Sequence, residues 1–146
     1  QRPDGRTLVD SRVICRFLND RGQGSLYPQG EGQWDALTLE ALGDGILDAA
    51  LSMTYEARLR PEAMQWPEWS ESQWAKVQRA CELLNREWMP TLNGEGNIGQ
   101  IAIACGLAYV DFRHGERGWR SGNDALAAWF AAYEERPAML ATVPPG

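Results

Sequence analysis

The chain has 146 residues, 44% of them hydrophobic, with a formal net charge of −6 and a pI near 4.8. That length suits one domain, or one domain plus a fragment of another, and that apolar share is enough to fill a core. The acidic balance argues against non-specific nucleic-acid binding, which needs a basic surface to displace counterions, and no apolar run approaches the ~18 residues of a membrane span.

In chain order, Pro3, Asp4 and Gly5 mark a turn. Thr7 to Val9 reads as a short edge or hairpin strand. Such a strand cannot stand alone, because its backbone groups need a partner. A first helix is expected from Ser11 to Asn19, and "RGQGSLYPQGEG", with Gly22, Gly24, Pro28, Gly30 and Gly32, reads as a linker. The next helix starts near Gln33 and reaches Arg60. Trp34, Leu37, Leu42, Ile46, Ala49, Ala50 and Met53 keep a helical period along it. Gly43 and Gly45 each cost about 1 kcal/mol against Ala inside a helix, so they imply close backbone packing or a bend. Pro61 closes this helix, and Pro67 breaks the connection that follows.

Ser70 and Gln73 form a capping-box pattern ahead of Trp74, Val77, Cys81, Leu84 and Trp88, an amphipathic helix ended by Pro90. "NIGQIAIACGLAYV" differs in kind. It is apolar on nearly every face from Ile98 to Val110, which predicts a central helix buried all round. Asn97 is its expected N-cap and Gln100 the reciprocal partner. A last helix runs from Asn123 to Glu135 with Leu126, Trp129, Phe130 and Tyr133 inward, "RPAML" adds a short turn, and "ATVPPG" is expected to be disordered.

Cys15, Cys81 and Cys105 are widely spaced with no CxxC pair, which argues against a zinc site. Cys81 and Cys105 fall in apolar helical patterns, where a free thiol behaves as a small hydrophobe. A reducing, cytoplasmic setting follows. The seven tryptophans need apolar surroundings and partners for their indole N–H groups. "WPEWSESQW" lacks the basic residues of a nucleic-acid platform.

The chemistry concentrates at Asp10 and Ser11, between the expected strand and the first helix. Both residue types cap helices. The same position can also receive a zwitterionic amino-acid head: the helix N-terminus and the Ser11 hydroxyl welcome a carboxylate, and Asp10 can hold an ammonium. "LVDSRVICRFLN" resembles the strand-to-helix junction of the glutathione transferase superfamily, where an acidic residue followed by Ser binds the γ-glutamyl end of glutathione. "ALGDGILDAALSMTYE" followed by "RP", "NIGQIAIACGLAYVDFR" and "ALAAWFAAYEERPAMLATVP" resemble that family's first all-helical segment, its buried central helix and its C-terminal helix, in the same order. The family's central helix usually opens with Ser or Thr and carries Asp at the fourth position. Asn97 and Gln100 stand there in this chain.

The resemblance implies a mainly all-α fold. Residues 1–22 would be the last strand and helix of a thioredoxin-like domain, 23–32 a linker, and 33–146 the all-helical C-terminal domain. It implies glutathione as co-substrate, whose thiolate attacks a hydrophobic electrophile, with no metal. Asp10 and Ser11 would bind glutathione. Ser52, Met53, Glu56, Tyr109 and Arg113 would line the second-substrate pocket, although plain core packing also accounts for Met53 and Tyr109. Asp44 would reach glutathione in a partner subunit of a homodimer, or serve only as a solvated helix charge. The nucleophile-activating residue and the cis-proline of the family lie in the upstream half, so no catalytic residue is expected in this chain. The alternative is a non-catalytic helical module for protein contact. His114, the single histidine, is expected to cap the end of the central helix; general-base work is the alternative, with no partner visible in sequence.

Overall fold

The computed structural model describes residues 1–144. Its organising pair is α2 (Gly32–Leu59) and α5 (Ile98–His114), packed along their lengths. Small residues permit the approach. A Cβ at Gly43 would stand 2.6 Å from the Ala102 carbonyl oxygen and 2.7 Å from the Ile103 nitrogen. A Cβ at Gly99 would stand 2.7 Å from the Ala36 oxygen, and one at Gly106 2.8 Å from the Gly43 oxygen. Gly45, in contrast, faces open space. The helix cost of Gly43 is therefore offset by a close backbone crossing, and Gly45 brings no such packing return.

α3 (Pro67–Leu83) covers α2, and its Trp74, Val77 and Cys81 join the core with Leu39, Ile46, Met53, Ile103, Leu107 and Val110. This helix begins at Pro67, not at Ser70. Pro at a first helical position has no N–H to lose and a preset φ, so the expected breaker is the initiator and the Ser70–Gln73 capping box does not form. Pro90 does not end it cleanly either. A π-helical turn, Leu84–Trp88, leads into the short α4 (Met89–Leu92), absorbing the residue that cannot donate to the ladder. From that π turn the Asn85 side chain accepts the Leu126 N–H at 3.0 Å, capping α6 (Asp124–Glu134) from outside. The short α7 (Pro137–Leu140) realises the expected last turn. Of the tail expected to be disordered, Pro145 and Gly146 lie outside the described residues.

Asn97 caps α5 as expected, its Oδ1 accepting from Gly99 N at 2.9 Å and Gln100 N at 3.3 Å. Gln100 does not return the bond to Asn97. Its Nε2 turns to the carbonyls after α4, those of Leu92 and Glu95 at 3.1 Å. Two of the seven indole groups find partners: Trp129 donates to the Leu92 carbonyl and Trp119 to Asp111, both at 2.8 Å.

Three expectations fail: the strand, the all-round burial of α5 and an inward-facing Trp34. Among the described residues no strand forms, and Thr7 to Val9 make no ladder bond, because no neighbouring chain segment offers one. α1 (Ser11–Arg21) has no buried residue and leaves Val13, Ile14 and Leu18 exposed. α5 is not buried all round: Cys105 is exposed and Ile101, Ala108 and Tyr109 are half-buried, one uncovered stripe at helical spacing. Trp34, expected inward, is 62% exposed.

Candidate functional site

Asp10 is the N-cap of α1, its carboxylate accepting the Arg12 N–H at 3.0 Å. Its backbone sits at φ 74°, ψ 132°, a conformation that L side chains rarely adopt. The first ladder bond of the helix runs from Ile14 N to the Asp10 carbonyl, so the amides of Ser11 and Val13 stand at the open, positive end. Ser11 is exposed beside them. This arrangement offers a hydroxyl, backbone donors and a carboxylate within one turn, the donor and acceptor set for an amino-acid head.

Arg12 ties this turn to α2. Its Nε lies 3.0 Å from Asp44 and 3.7 Å from Asp10. Asp44 is thus engaged within its own chain. Burial raises its pKa, opposed by the Arg12 charge. Nearby, Tyr27 from the linker donates to the buried Glu40 at 3.0 Å, and burial pushes both groups' pKa values up. A groove of about 460 Å³ runs between α1 and α2, with Leu8, Val13, Phe17 and Leu37 on its walls.

Four of the five residues expected around the second substrate fall on two grooves. Ser52 and Glu56 line one of about 520 Å³ with Tyr55, Leu59, Met64 and Trp69. Glu56 is structurally committed there: its two oxygens accept the Trp66 N–H and the Arg60 Nε, each at 2.8 Å, holding the α2–α3 connection. Met53 and Arg113 line the other, of about 300 Å³, with Thr54, Ala57, Arg58, Ser70, His114, Glu116 and Arg117. Tyr109 lines neither. Its hydroxyl donates to Thr54 Oγ1 at 3.3 Å.

His114 does not cap its own helix. Its Nε2 reaches the Ala50 carbonyl at 2.9 Å and Thr54 Oγ1 at 3.1 Å, and an acceptor at Ala50 assigns the proton to Nε2. Sequence reasoning missed Arg12, the Tyr27–Glu40 pair and this Thr54–His114–Tyr109 link. Arg12 alone carried a local signal, a cation two residues after Asp10. Among the described residues, no group of three or more His, Cys, Asp and Glu could hold a metal ion, and no helix is long and apolar enough to cross a membrane.

Residues 67–132 match the family model for the glutathione S-transferase C-terminal domain. A glutathione transferase family member from Pseudomonas fluorescens Pf-5, solved with S-(propanoic acid)-glutathione bound, superposes with a TM-score of 0.94 at 39% identity. The match covers 99% of this chain and 75% of that one. A glutathione S-transferase from Methylobacillus flagellatus KT, solved with glutathione, is similar at 33% identity and TM-score 0.88, over 99% of this chain and 73% of that one. The uncharacterised GST-like protein YibF of Escherichia coli K12 is 33% identical over 109 residues, which is 73% of this chain and about half, 54%, of that relative. Two structural lines therefore converge, the α2–α5 helical architecture and these likenesses. The chain belongs to the glutathione transferase superfamily and carries its all-α C-terminal domain.

Proposed function

We propose that this chain is the electrophile-selecting part of a glutathione-dependent transferase, with residues 1–22 acting as the edge of a thioredoxin-like half and 33–146 as the helical domain, joined by 23–32. The carrying observation is Asp10. A residue used only as a helix cap has no need of φ 74°, a conformation Gly adopts without strain. Held there, the Asp10 carboxylate stands beside the open α1 amides and the Ser11 hydroxyl, placed to take the ammonium and carboxylate of a γ-glutamyl group. Thr7 to Val9 would gain their ladder only against the rest of a thioredoxin-like sheet.

Glutathione is the co-substrate on this reading. Its thiolate attacks an electrophile, and the group that lowers the thiol pKa belongs to the thioredoxin-like half. The grooves at Ser52 and Glu56 and at Met53 and Arg113 supply the wall the electrophile meets. The propanoic acid substituent on the glutathione of the Pseudomonas relative indicates the size of group such a wall can face. The working form is a cytoplasmic homodimer.

Two charge-assisted contacts contribute about 1.5–3 kcal/mol each, against an association cost of roughly 4–15 kcal/mol. The 146-residue chain alone is therefore expected to show no glutathione binding by calorimetry. Joined to a thioredoxin-like half it binds, and replacing Asp10 and Ser11 by Ala weakens that binding with the fold intact. Equal binding by the double variant would leave both residues as helix caps and remove this reading.

A further inference from the structure

The groove between the C-terminal ends of α2 and α5 has a charge character opposite to that of the whole chain. In a protein of net charge −6, it gathers Arg58, Arg113 and Arg117 around Thr54, Ser70 and His114. Arg117 is already engaged, bidentate to Glu71 at 2.8 and 3.1 Å. Arg58 and Arg113 are not: among the described residues neither joins an ion pair or a side-chain hydrogen bond. Arg113 is half-buried and lies 3.7 Å over the Phe112 ring, which orients its guanidinium and leaves its N–H fork unused. The acid that shares the groove is Glu116, and the acid of the adjoining groove, Glu56, is consumed by Trp66 N and Arg60. Two unpaired forks and one exposed carboxylate line this groove of about 300 Å³, so its charged donors outnumber its free charged acceptors.

We propose that this groove binds a carboxylate, and, resting on the transferase reading, that the electrophile is a small unsaturated carboxylic acid held there by Arg58 and Arg113. Position agrees. Thr54 lies ten residues beyond Asp44 on α2, ~15 Å at the helical rise. An extended three-residue unit spans about 10 Å, and a three-carbon acid plus an arginine side chain close the remainder. The chemistry also has a use for the two cations. The thiol proton goes to solvent, and the thiolate sulfur forms a bond to the β-carbon. The C=C π pair moves to the α-carbon, which takes a proton from water. Nothing is oxidised or reduced. As that pair moves, negative charge builds toward the carboxylate, which is why an unsaturated acid is a weaker acceptor in water than its neutral amide. Guanidinium groups fixed on the carboxylate stabilise that charge and reverse the preference.

The test uses the 146-residue chain and propanoate, with propanamide as the uncharged counterpart, followed by ¹⁵N NMR on the arginine Nε–H signals. Propanoate is expected to shift the Arg58 and Arg113 signals saturably and propanamide to leave them in place. Arg113→Gln and Arg58→Gln each weaken the titration about tenfold, and Arg79→Gln on exposed α3 surface does not change it. Shifts no larger than matched chloride produces, or variants that titrate like the parent, overturn the proposal. The glutathione measurement above is separate. Its failure alongside a saturable propanoate titration retires the transferase reading and keeps the carboxylate groove; the reverse pattern retires the groove alone.

Discussion

The seam between α2 and α5 and the edge formed by residues 1–21 are built on opposite terms. Along the seam, Leu39, Ile46, Ile103, Leu107 and Val110 are fully or almost fully buried, each stabilising by roughly 1.5–3 kcal/mol. At the edge no side chain of α1 is buried, and its attachments include Arg12 to Asp44, Asn19 Oδ1 accepting Leu26 N, Arg16 over the Tyr27 ring, and the half-buried Cys15 against Tyr27, Ala36 and Ile98. The seam holds itself together. The edge is held by a few polar ties and one small apolar contact at Cys15, and Asp10 and Ser11 sit on this less buried part. Binding surfaces are commonly drawn from the low-stability end of a fold.

The largest expected effect breaks the seam. Gly43→Val drives a branched side chain into the Ala102 and Ile103 backbone, which cannot rotate away. A loss of about 3 kcal/mol or more is expected in chemical denaturation. Gly45→Ala, two residues on and facing open space, should instead gain about 0.5–1 kcal/mol. Equal responses at the two positions would mean that backbone approach does not define the seam. Next in size is Asn97→Ala, which strips two amide partners from the start of α5 and should cost about 1–2 kcal/mol. An unchanged denaturation midpoint would remove the cap from the account.

A pH experiment probes the tie between linker and seam. Burial raises the Glu40 pKa above its ordinary value, with the Tyr27 hydrogen bond opposing, so the folded state favours the protonated acid. Its stabilising contribution is complete below the ordinary carboxylate range and is lost as pH rises through the raised folded value. Glu40→Gln keeps an oxygen for Tyr27 and carries no charge. It should match the parent near pH 4 and exceed it in denaturation midpoint at pH 7. A Gln variant less stable than the parent at pH 7 would show that the charged carboxylate is favoured in place.

Much of the seam was legible from residues alone, because apolar spacing and the cost of a mid-helix glycine are local properties. Asn97 as a cap and Gly43 as a contact point both follow from such rules. Pro67 and Pro90 misled, since the same ring that breaks a helix interior suits a helix start, and the difference lies in φ and ψ rather than residue type. The candidate site was half legible. Asp10 and Ser11 were visible as a pair, yet Arg12 bridging Asp10 to Asp44 joins residues 34 apart, and Tyr27 meeting Glu40 depends on how the linker folds back. Glu56 shows the reverse case. The family resemblance put it at a substrate contact, and its oxygens accept from Trp66 N and Arg60, partners the sequence did not reveal.

The smallest expected effect bears most on the edge. Asp10 at φ 74° carries backbone strain of about 1–3 kcal/mol, which Gly would not. Asp10→Gly also removes the cap to Arg12 N, at a cost of only a few tenths of a kcal/mol when Gly is the replacement, and it frees Arg12 to pair with Asp44 alone. Gly also loses about 0.5–1 kcal/mol more backbone entropy on folding, which offsets most of the relief if the strain is at the low end of its range, so the net change should be a gain of under about 1 kcal/mol, read as a small upward shift in thermal midpoint. A helix cap that is improved by deletion is not explained by capping. If Asp10→Gly is stabilising and, in the chain joined to a thioredoxin-like half, abolishes glutathione binding, then stability is being held down at this residue for the sake of the ligand. If it destabilises by the full value of a lost cap and leaves binding alone, the positive φ is an incident of the turn, and the edge has no site at Asp10.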